Sequence, residues 1–105
     1  MTNWLIDVDG TVCEDIPNEE AWRFADAKPL EGSVEWVNSL TAKGDTVTFF
    51  TSRQSQHRLV TLEWLCRNGF HFIGLITDKP RGGQYHWVDN LSVKATHWTG
   101  GPYPT

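Results

Sequence analysis

The chain has 105 residues, of which 39% are hydrophobic and 21% are charged, and its net charge is −4. This length fits one domain with a hydrophobic core, spanning residues 1–105, and the composition is that of a globular protein rather than a disordered or fibrous one. The acidic balance argues against a protein that binds nucleic-acid backbones or anionic membranes, since those partners require a basic surface. It does not exclude an enzyme that acts on a phosphorylated end.

No run of residues approaches the ~18 apolar residues of a membrane span. The N-terminus also lacks the basic region and apolar stretch of a signal peptide. Cys13 and Cys66 show neither a C-x-x-C pair nor metal-ligand spacing, so we expect unpaired thiols in a cytoplasmic protein. Most of the six Trp residues are expected in the core or between packed helices.

The first apolar segment, Trp4 to Val8, is predicted to be a buried strand that runs into Asp7-Val8-Asp9-Gly10-Thr11. Because side chains alternate along a strand, Asp7 and Asp9 lie on one side of it, and Gly10 permits a sharp turn. Two carboxylates this close repel each other unless a cation or a shared proton relieves them. A hard divalent ion that bridges to a substrate phosphate would do so. The alternative is a turn whose Asp side chains hydrogen-bond their own backbone.

Two helices are predicted further along the chain. The first begins with Ser33 as its cap and ends at Lys43-Gly44. The second runs from about Gln56 to Asn68, and the apolar period predicts these inward residues: Leu59, Leu62, Leu65 and Cys66.

Between and after the helices, β-branched and aromatic runs predict three more strands, at 46–50, 72–76 and 85–88. Residues 12–32 are predicted to be a long loop with one short helical turn around Glu19 to Phe24, and a loop of that length is often functional. The tail, about 99–105, is expected to be loosely ordered because it is rich in Gly and Pro.

Strands that alternate with helices predict an α/β fold, Rossmann-like and three-layered (α/β/α), with right-handed crossovers and a parallel sheet covered on both faces. In such sheets the ligand lies beyond the carboxyl ends of the strands. Polar residues capable of chemistry occupy those predicted ends: Asp7, Asp9, Thr51, Lys79 and Asp89. Taken singly, each of them has an ordinary structural explanation as a turn, strand-end or solvated residue.

Four short motifs together resemble the haloacid dehalogenase-like (HAD) superfamily of Mg²⁺-dependent phosphatases and phosphotransferases. In chain order they are Asp7-Val8-Asp9-Gly10-Thr11, Phe50-Thr51, Asp78-Lys79-Pro80 and Trp87-Val88-Asp89-Asn90. The resemblance extends from Trp4 to about Trp98. Within the superfamily, 27–29 and 50–53 are similar to small capless members found beside sugar or capsule biosynthesis.

The resemblance implies a role for each residue of the motifs. Asp7 would be the nucleophile that forms an aspartyl-phosphate, and Asp9 would protonate the leaving oxygen and then deprotonate water. Mg²⁺ would be held by the Asp7 carboxylate, the Asp9 backbone carbonyl and Asp89. The ion and Lys79 would compensate the repulsion between the attacking carboxylate and the anionic phosphate. The Thr51 hydroxyl would donate a hydrogen bond to a phosphoryl oxygen.

Around these motifs we expect a substrate-binding set made of Gly10, Thr11, Ser52, Arg53 and Arg81. The two arginines are predicted near the site, where they would either hold the substrate or be solvated. Asn90 stands where many members of the superfamily carry a second acid, and its carbonyl oxygen can still accept from a metal-bound water. The four His residues show no metal spacing.

The favoured function is therefore an Mg²⁺-dependent phosphomonoester hydrolase acting on a small phosphorylated metabolite, a sugar phosphate or nucleotide. Two alternatives stay open: a phosphatase of nucleic-acid ends, and a non-catalytic binding protein with the same fold. Because the chain has no insertion large enough for a cap domain, the site is expected to be open. It would be covered by the loop around Pro17 to Phe24, by a second copy of the chain in a homo-oligomer, or by a large substrate.

Overall fold

A computed structural model describes residues 1–105 of the protein. Three strands form the sheet: β1 (Asn3–Ile6), β2 (Thr46–Phe50) and β3 (Gly74–Ile76). Two α-helices connect them: α1 (Ser33–Ala42) between β1 and β2, and α2 (Arg58–Arg67) between β2 and β3. Two 3₁₀-helices complete the set, the long one at Asn18–Asp26 and a short one at Ser55–His57. None of the helices has the length and apolar character needed to cross a membrane.

The strands are parallel and lie in the order β1-β2-β3, with Trp4 opposite Val47 and Phe49 opposite Leu75. Both crossovers step in the same direction along the sheet, so right-handed connections place α1 and α2 over the same face. Their proximity is visible in the hydrogen bond from Asn38 Nδ2 of α1 to the carbonyl that follows α2 (2.8 Å). The predicted α/β class with a parallel, Rossmann-like sheet is confirmed, whereas the two α-helices cover one face of the sheet and not both as predicted.

The hydrophobic core lies between this helical layer and one face of the sheet. Along β2, alternate residues Val47 and Phe49 are buried, and the Phe49 ring packs edge-on against Phe70 and Phe72. This is the period of two that an extended strand imposes on its side chains. On the opposite face of the sheet, Leu5 and Ile76 are exposed.

Helix α1 ends as predicted but begins differently. Lys43 closes the helix and Gly44 follows with a φ of 98°, a left-handed conformation that glycine adopts at low cost. At its start, Gly32 occupies the cap position and Ser33 is the first helical residue. The Ser33 hydroxyl donates to the carbonyl of Val12 (3.0 Å), so it fastens the helix to the loop after β1 instead of capping it.

The predicted inward face of α2 is wrong in part. Leu65 is buried as expected, but Leu59 is 68% exposed and Cys66 is also exposed. The helix buries Thr61 and Trp64 instead. Trp64 determines this rotation, because its indole N–H donates to the carbonyl of Ala27 (2.8 Å) and its ring stacks on Phe70. The burial of one large aromatic residue with a polar partner thus decides which face of α2 points inward, against the prediction from the leucine spacing.

The predicted fourth strand is absent, and residues 85–88 have no regular structure. Trp87 and Val88 are exposed, as is Trp22. Of the other Trp residues, Trp64 lies in the core, and Trp4 and Trp36 pack against it. Asp89 accepts hydrogen bonds from the Trp87 indole N–H and from the Leu91 backbone. Such local side-chain-to-backbone bonds compete with pairing to a sheet edge.

The tail is docked on the protein through aromatic rings and hydrogen bonds. Tyr103 stacks between Trp36 and Trp98, with centroid separations of 4.5 Å to each ring. Its hydroxyl donates to the carbonyl of Thr11 (2.6 Å), and the Trp36 indole donates to that of Pro104 (2.7 Å). Aromatic stacking and hydrogen bonds therefore compensate for the flexible Gly-Pro composition.

The observed face of α2 can be tested with two identical substitutions on one helix. Leu65→Ala should lower the free energy of unfolding by about 2–5 kcal/mol because it leaves a cavity in the core. Leu59→Ala, at an exposed position, should change it by less than about 0.5 kcal/mol. Urea denaturation of both variants measures the difference. Equal losses would show that both leucines are buried and that α2 is rotated as the leucine period predicts.

Candidate active site

A polar cleft of about 470 Å³ opens at the carboxyl edge of the sheet, where parallel α/β folds place their ligands. Only two of the residues that line it are hydrophobic. The lining comes from the turns after β1 and β2, from the loop before the long 3₁₀-helix, and from the segment after β3: Asp7, Asp9, Asp15, Ile16, Pro17, Asn18, Ser52, Lys79, Arg81, Gly82 and Tyr85.

Asp7 and Lys79 form an ion pair in this cleft, with 3.5 Å between Lys79 Nζ and Asp7 Oδ1. The same carboxylate oxygen accepts the backbone N–H of Val8 (2.9 Å). Burial raises the pKa of the Asp7 carboxyl, and the Lys79 charge opposes that rise. The Lys79 ammonium lies near the Phe50 and Tyr85 rings, and the side chain is only 16% exposed. Asp7 is thus a carboxylate with a partly desolvated cation beside it.

The position of Lys79 follows from hydrogen bonds between the turns after β2 and β3. Its backbone N–H donates to the carbonyl of Thr51 (2.9 Å), and the N–H of Asp78 donates to that of Arg53 (2.9 Å). Asp78 has a φ of 61°, in the left-handed region that Asp tolerates better than most residues. This turn directs the chain so that Lys79 approaches the end of β1.

Asp9 is held by Arg53 through both carboxylate oxygens, at 2.9 Å from Nε and 2.7 Å from Nη2. The Arg53 side chain is fully buried, donates to the Thr61 hydroxyl (3.1 Å) and lies over the Phe24 ring at 3.8 Å. An arginine enclosed in this way cannot reach into the cleft. The predicted contact between Arg53 and substrate is therefore not formed in this geometry.

Cys13 lies beside this pair, with its sulfur 3.6 Å from Asp9 Oδ1. Burial raises the pKa of the Cys13 thiol, and the neighbouring Asp9 charge adds to that rise. A thiol that stays protonated is a poor nucleophile. We therefore interpret Cys13 as a core residue and not as a nucleophile that competes with Asp7. Cys66 is exposed, and both cysteines are free, as expected.

Two other parts of the predicted site lie outside the cleft. Thr51 is fully buried and its hydroxyl oxygen accepts the backbone N–H of Arg53 (3.1 Å), while Ser52 lines the cleft in its place. Gly10, with a φ of 79°, forms the turn after β1 and borders a second, shallower cleft of about 500 Å³ with Asp15 and Trp98 among its lining residues. Thr11 lines neither cleft.

The predicted metal ligand Asp89 is not brought to the cleft. It is exposed, and hydrogen bonds from the Leu91 backbone and the Trp87 indole lower the pKa of its carboxyl. Residues 1–105 contain no group of three or more His, Cys, Asp or Glu side chains that could hold a metal ion. Asn90 is also exposed, and none of the four His residues lines the cleft. Two of the three predicted magnesium ligands, Asp7 and Asp9, therefore line the cleft, whereas Asp89 does not.

The loop after β1 supplies a wall of the cleft that no motif indicated. Asn18 Nδ2 donates to the carbonyl of Ser52 (2.9 Å), which fastens the loop to the turn after β2. Glu19 pairs with Arg81 across the rim (3.3 Å), and Arg81 lines the cleft as predicted. The sequence signal was the unusual length of the loop, which marks a functional segment without naming its residues.

The similarity of this chain to known proteins lies in its fold. No protein-family model and no curated protein matches the chain. A solved structure of an MCSG target from Vibrio cholerae is 16% identical with a TM-score of 0.62, over 85% of this chain and 80% of that chain. A chain in the structure of a Pnkp1/Rnl/Hen1 complex is 15% identical with a TM-score of 0.66, over 80% and 30%.

A third similar structure is D,D-heptose 1,7-bisphosphate phosphatase from B. bronchiseptica, complexed with magnesium and phosphate. It is 21% identical with a TM-score of 0.58, over 73% of this chain and 49% of that chain. The protein thus spans half or less of the length of the last two chains. At these identities the likeness establishes the fold alone, a parallel, Rossmann-like α/β core.

Proposed function

We propose that the protein is a phosphomonoester hydrolase in which Asp7 attacks the phosphorus of a small phosphorylated metabolite, a sugar phosphate or nucleotide. The Asp7–Lys79 pair in a polar cleft carries this proposal. A carboxylate attacks an anionic phosphate efficiently only where positive charge offsets the repulsion, and Lys79 supplies such a charge. The fold likeness to a phosphatase solved with bound phosphate supports the same class of reaction.

The reaction consists of two displacements. In the first, an Asp7 oxygen bonds to phosphorus, the bond to the leaving oxygen breaks, and Asp9, which enters the cycle protonated, gives that oxygen its proton. In the second, Asp9 takes a proton from water, which attacks the aspartyl-phosphate and restores Asp7. Asp9 lines the cleft although its side chain is only 11% exposed. Lys79 and Arg81 are the cleft cations available to phosphoryl oxygens.

The magnesium requirement stays a prediction. Magnesium prefers near-octahedral oxygen ligands, and the cleft offers the carboxylates of Asp7, Asp9 and Asp15 but not that of Asp89. When bound, the ion would supply charge neutralisation at the phosphate. Because the donor set is incomplete in this structure, the two displacements are assigned to groups of the chain alone.

A second candidate is a protein that binds phosphate esters without turnover. The pairing of each cleft carboxylate with its own cation, Asp7 with Lys79 and Asp9 with Arg53, favours it, since both acids are already engaged. Release of inorganic phosphate from p-nitrophenyl phosphate separates the two candidates. The net charge of −4 disfavours a third, a phosphatase of nucleic-acid ends. Association of several copies also stays a prediction.

Asp7→Asn should lower kcat by about 10³-fold or more, because an amide cannot act as the nucleophile. Asp26→Asn is the matched control, since Asp26 is exposed and outside the cleft, and it should retain wild-type turnover. Phosphate release measures both, and thermal unfolding checks that both variants fold. Rapid acid quench and peptide mass analysis should find one phosphoryl group on Asp7 of the wild type. Near-native turnover by Asp7→Asn would reject the assignment.

The pKa of Asp7 should lie above its ordinary value, and Lys79→Met should raise it further. Burial raises this pKa while the Lys79 charge lowers it, so loss of that charge leaves desolvation unopposed. A nucleophile must be ionised, so the acid limb of the kcat/KM profile should move to higher pH in the variant. Carboxyl ¹³C NMR titration measures the pKa without turnover. Lys43→Met, at a lysine paired with Asp45, should leave it unchanged; a lower pKa in Lys79→Met would contradict the pairing.

A further inference from the structure

Arg53 is a charged side chain in the interior of the protein. It is fully buried, yet no buried side-chain nitrogen or oxygen in the protein is without a hydrogen-bond partner. Its guanidinium donates twice to Asp9 and once to Thr61, and its central carbon lies over the Phe24 ring. Removing a guanidinium and a carboxylate from water is costly, and only such complete pairing offsets the cost.

The Arg53 backbone is fixed as firmly as its side chain. Its N–H donates to the Thr51 hydroxyl (3.1 Å), and its carbonyl accepts the N–H of Asp78 (2.9 Å). Arg53 therefore joins the turn after β1, through Asp9, to the turns after β2 and β3. Through Thr61 it also reaches α2, which buries Thr61, Trp64 and Leu65. The orientation of the Asp9 carboxylate is thus set by elements outside the cleft.

We propose that Arg53 is a positioning residue that holds Asp9 for proton transfer to the leaving oxygen, an inference that rests on the proposed function. A carboxylate has about four lone-pair positions, and the bidentate pair with Arg53 occupies two of them. Two parallel hydrogen bonds from Arg53 fix the plane of the group. The Cys13 thiol lies 3.6 Å from Asp9 Oδ1, so Oδ2 is assigned to carry the proton for the leaving oxygen. Arg53 does not touch the substrate, since it lies below the cleft.

A purely structural ion pair would be the competing explanation, because breaking a buried pair destabilises any fold. The two explanations predict different effects of the leaving group on the rate of the variants. The nitrophenolate of p-nitrophenyl phosphate departs as an anion, whereas an alkoxide requires a proton as it departs. Misplacing Asp9 should therefore slow an alkyl phosphate much more than an aryl phosphate, while a general loss of structure would slow both equally.

The test compares kcat/KM of Arg53→Lys and wild type on p-nitrophenyl phosphate and glycerol 2-phosphate, since kcat/KM includes departure of the leaving group. Lysine keeps the charge but cannot form the bidentate pair. We expect the loss on the alkyl ester to exceed that on the aryl ester by tenfold or more. Arg23→Lys is the matched control: Arg23 also pairs with two carboxylates, Glu14 and Glu20, but lies outside the cleft. It should change neither rate by more than twofold.

A milder variant covers the case in which Arg53→Lys does not fold. Thr61→Val removes one hydrogen bond from the guanidinium and leaves the ion pair with Asp9 in place. It should still reduce kcat/KM on the alkyl ester about threefold more than on the aryl ester. Equal losses on both esters, in either variant, would overturn the role of Arg53. A wild-type protein that hydrolyses neither ester would instead overturn the proposed function.

Discussion

Two carboxylates at the end of one strand impose the constraint on which the site depends. Asp7 and Asp9 repel each other, and in this structure a separate cation compensates each of them. Lys79 arrives from the turn after β3, at 3.5 Å from Asp7, and Arg53 arrives from the turn after β2, at 2.7 Å from Asp9. Parallel strands make this arrangement possible, because all three carboxyl ends lie at one edge of the sheet. The acids and their cations are therefore assembled by the topology of the sheet.

The two cations have different environments, and this separates their functions. Lys79 remains in contact with the cleft and lies beside aromatic rings, so its charge is available to a bound anion. The charge of Arg53 is enclosed and directed at one partner. Arginine suits the enclosed position because its planar fork matches a carboxylate, whereas the single ammonium of lysine suits the open one.

Sequence patterns predicted the elements that depend on local chemistry. The β-branched run at Thr46–Phe50 and the Lys43-Gly44 stop were placed correctly, since strand propensity and helix termination are local properties. The placement of Asp7 and Lys79 in one cleft also followed from strand ends alone. The same reasoning could not determine which side of α2 faces inward, since a single indole hydrogen bond at Trp64 decided it.

The burial of Arg53 and the absence of the fourth strand lay beyond such patterns. Arginine is normally solvated, and only the combined positions of Asp9, Thr61 and Phe24 make its burial favourable. Residues 85–88 would form a strand only if they paired with the edge of the sheet. A short apolar run in the sequence carries no information about that distant edge. The reaction cannot be inferred from the fold either, because proteins that share a core can catalyse different reactions.

The docked tail gives the turn after β1 an unusual dependence on residues far away in the chain. The hydrogen bond between Tyr103 and Thr11 joins residues 92 positions apart, and closing so long a loop carries a large entropic cost before the contact is formed. Contacts of this kind form late in folding and during vectorial synthesis. The segment that carries Asp7 and Asp9 is therefore made before the stacked aromatic residues that hold the turn in place.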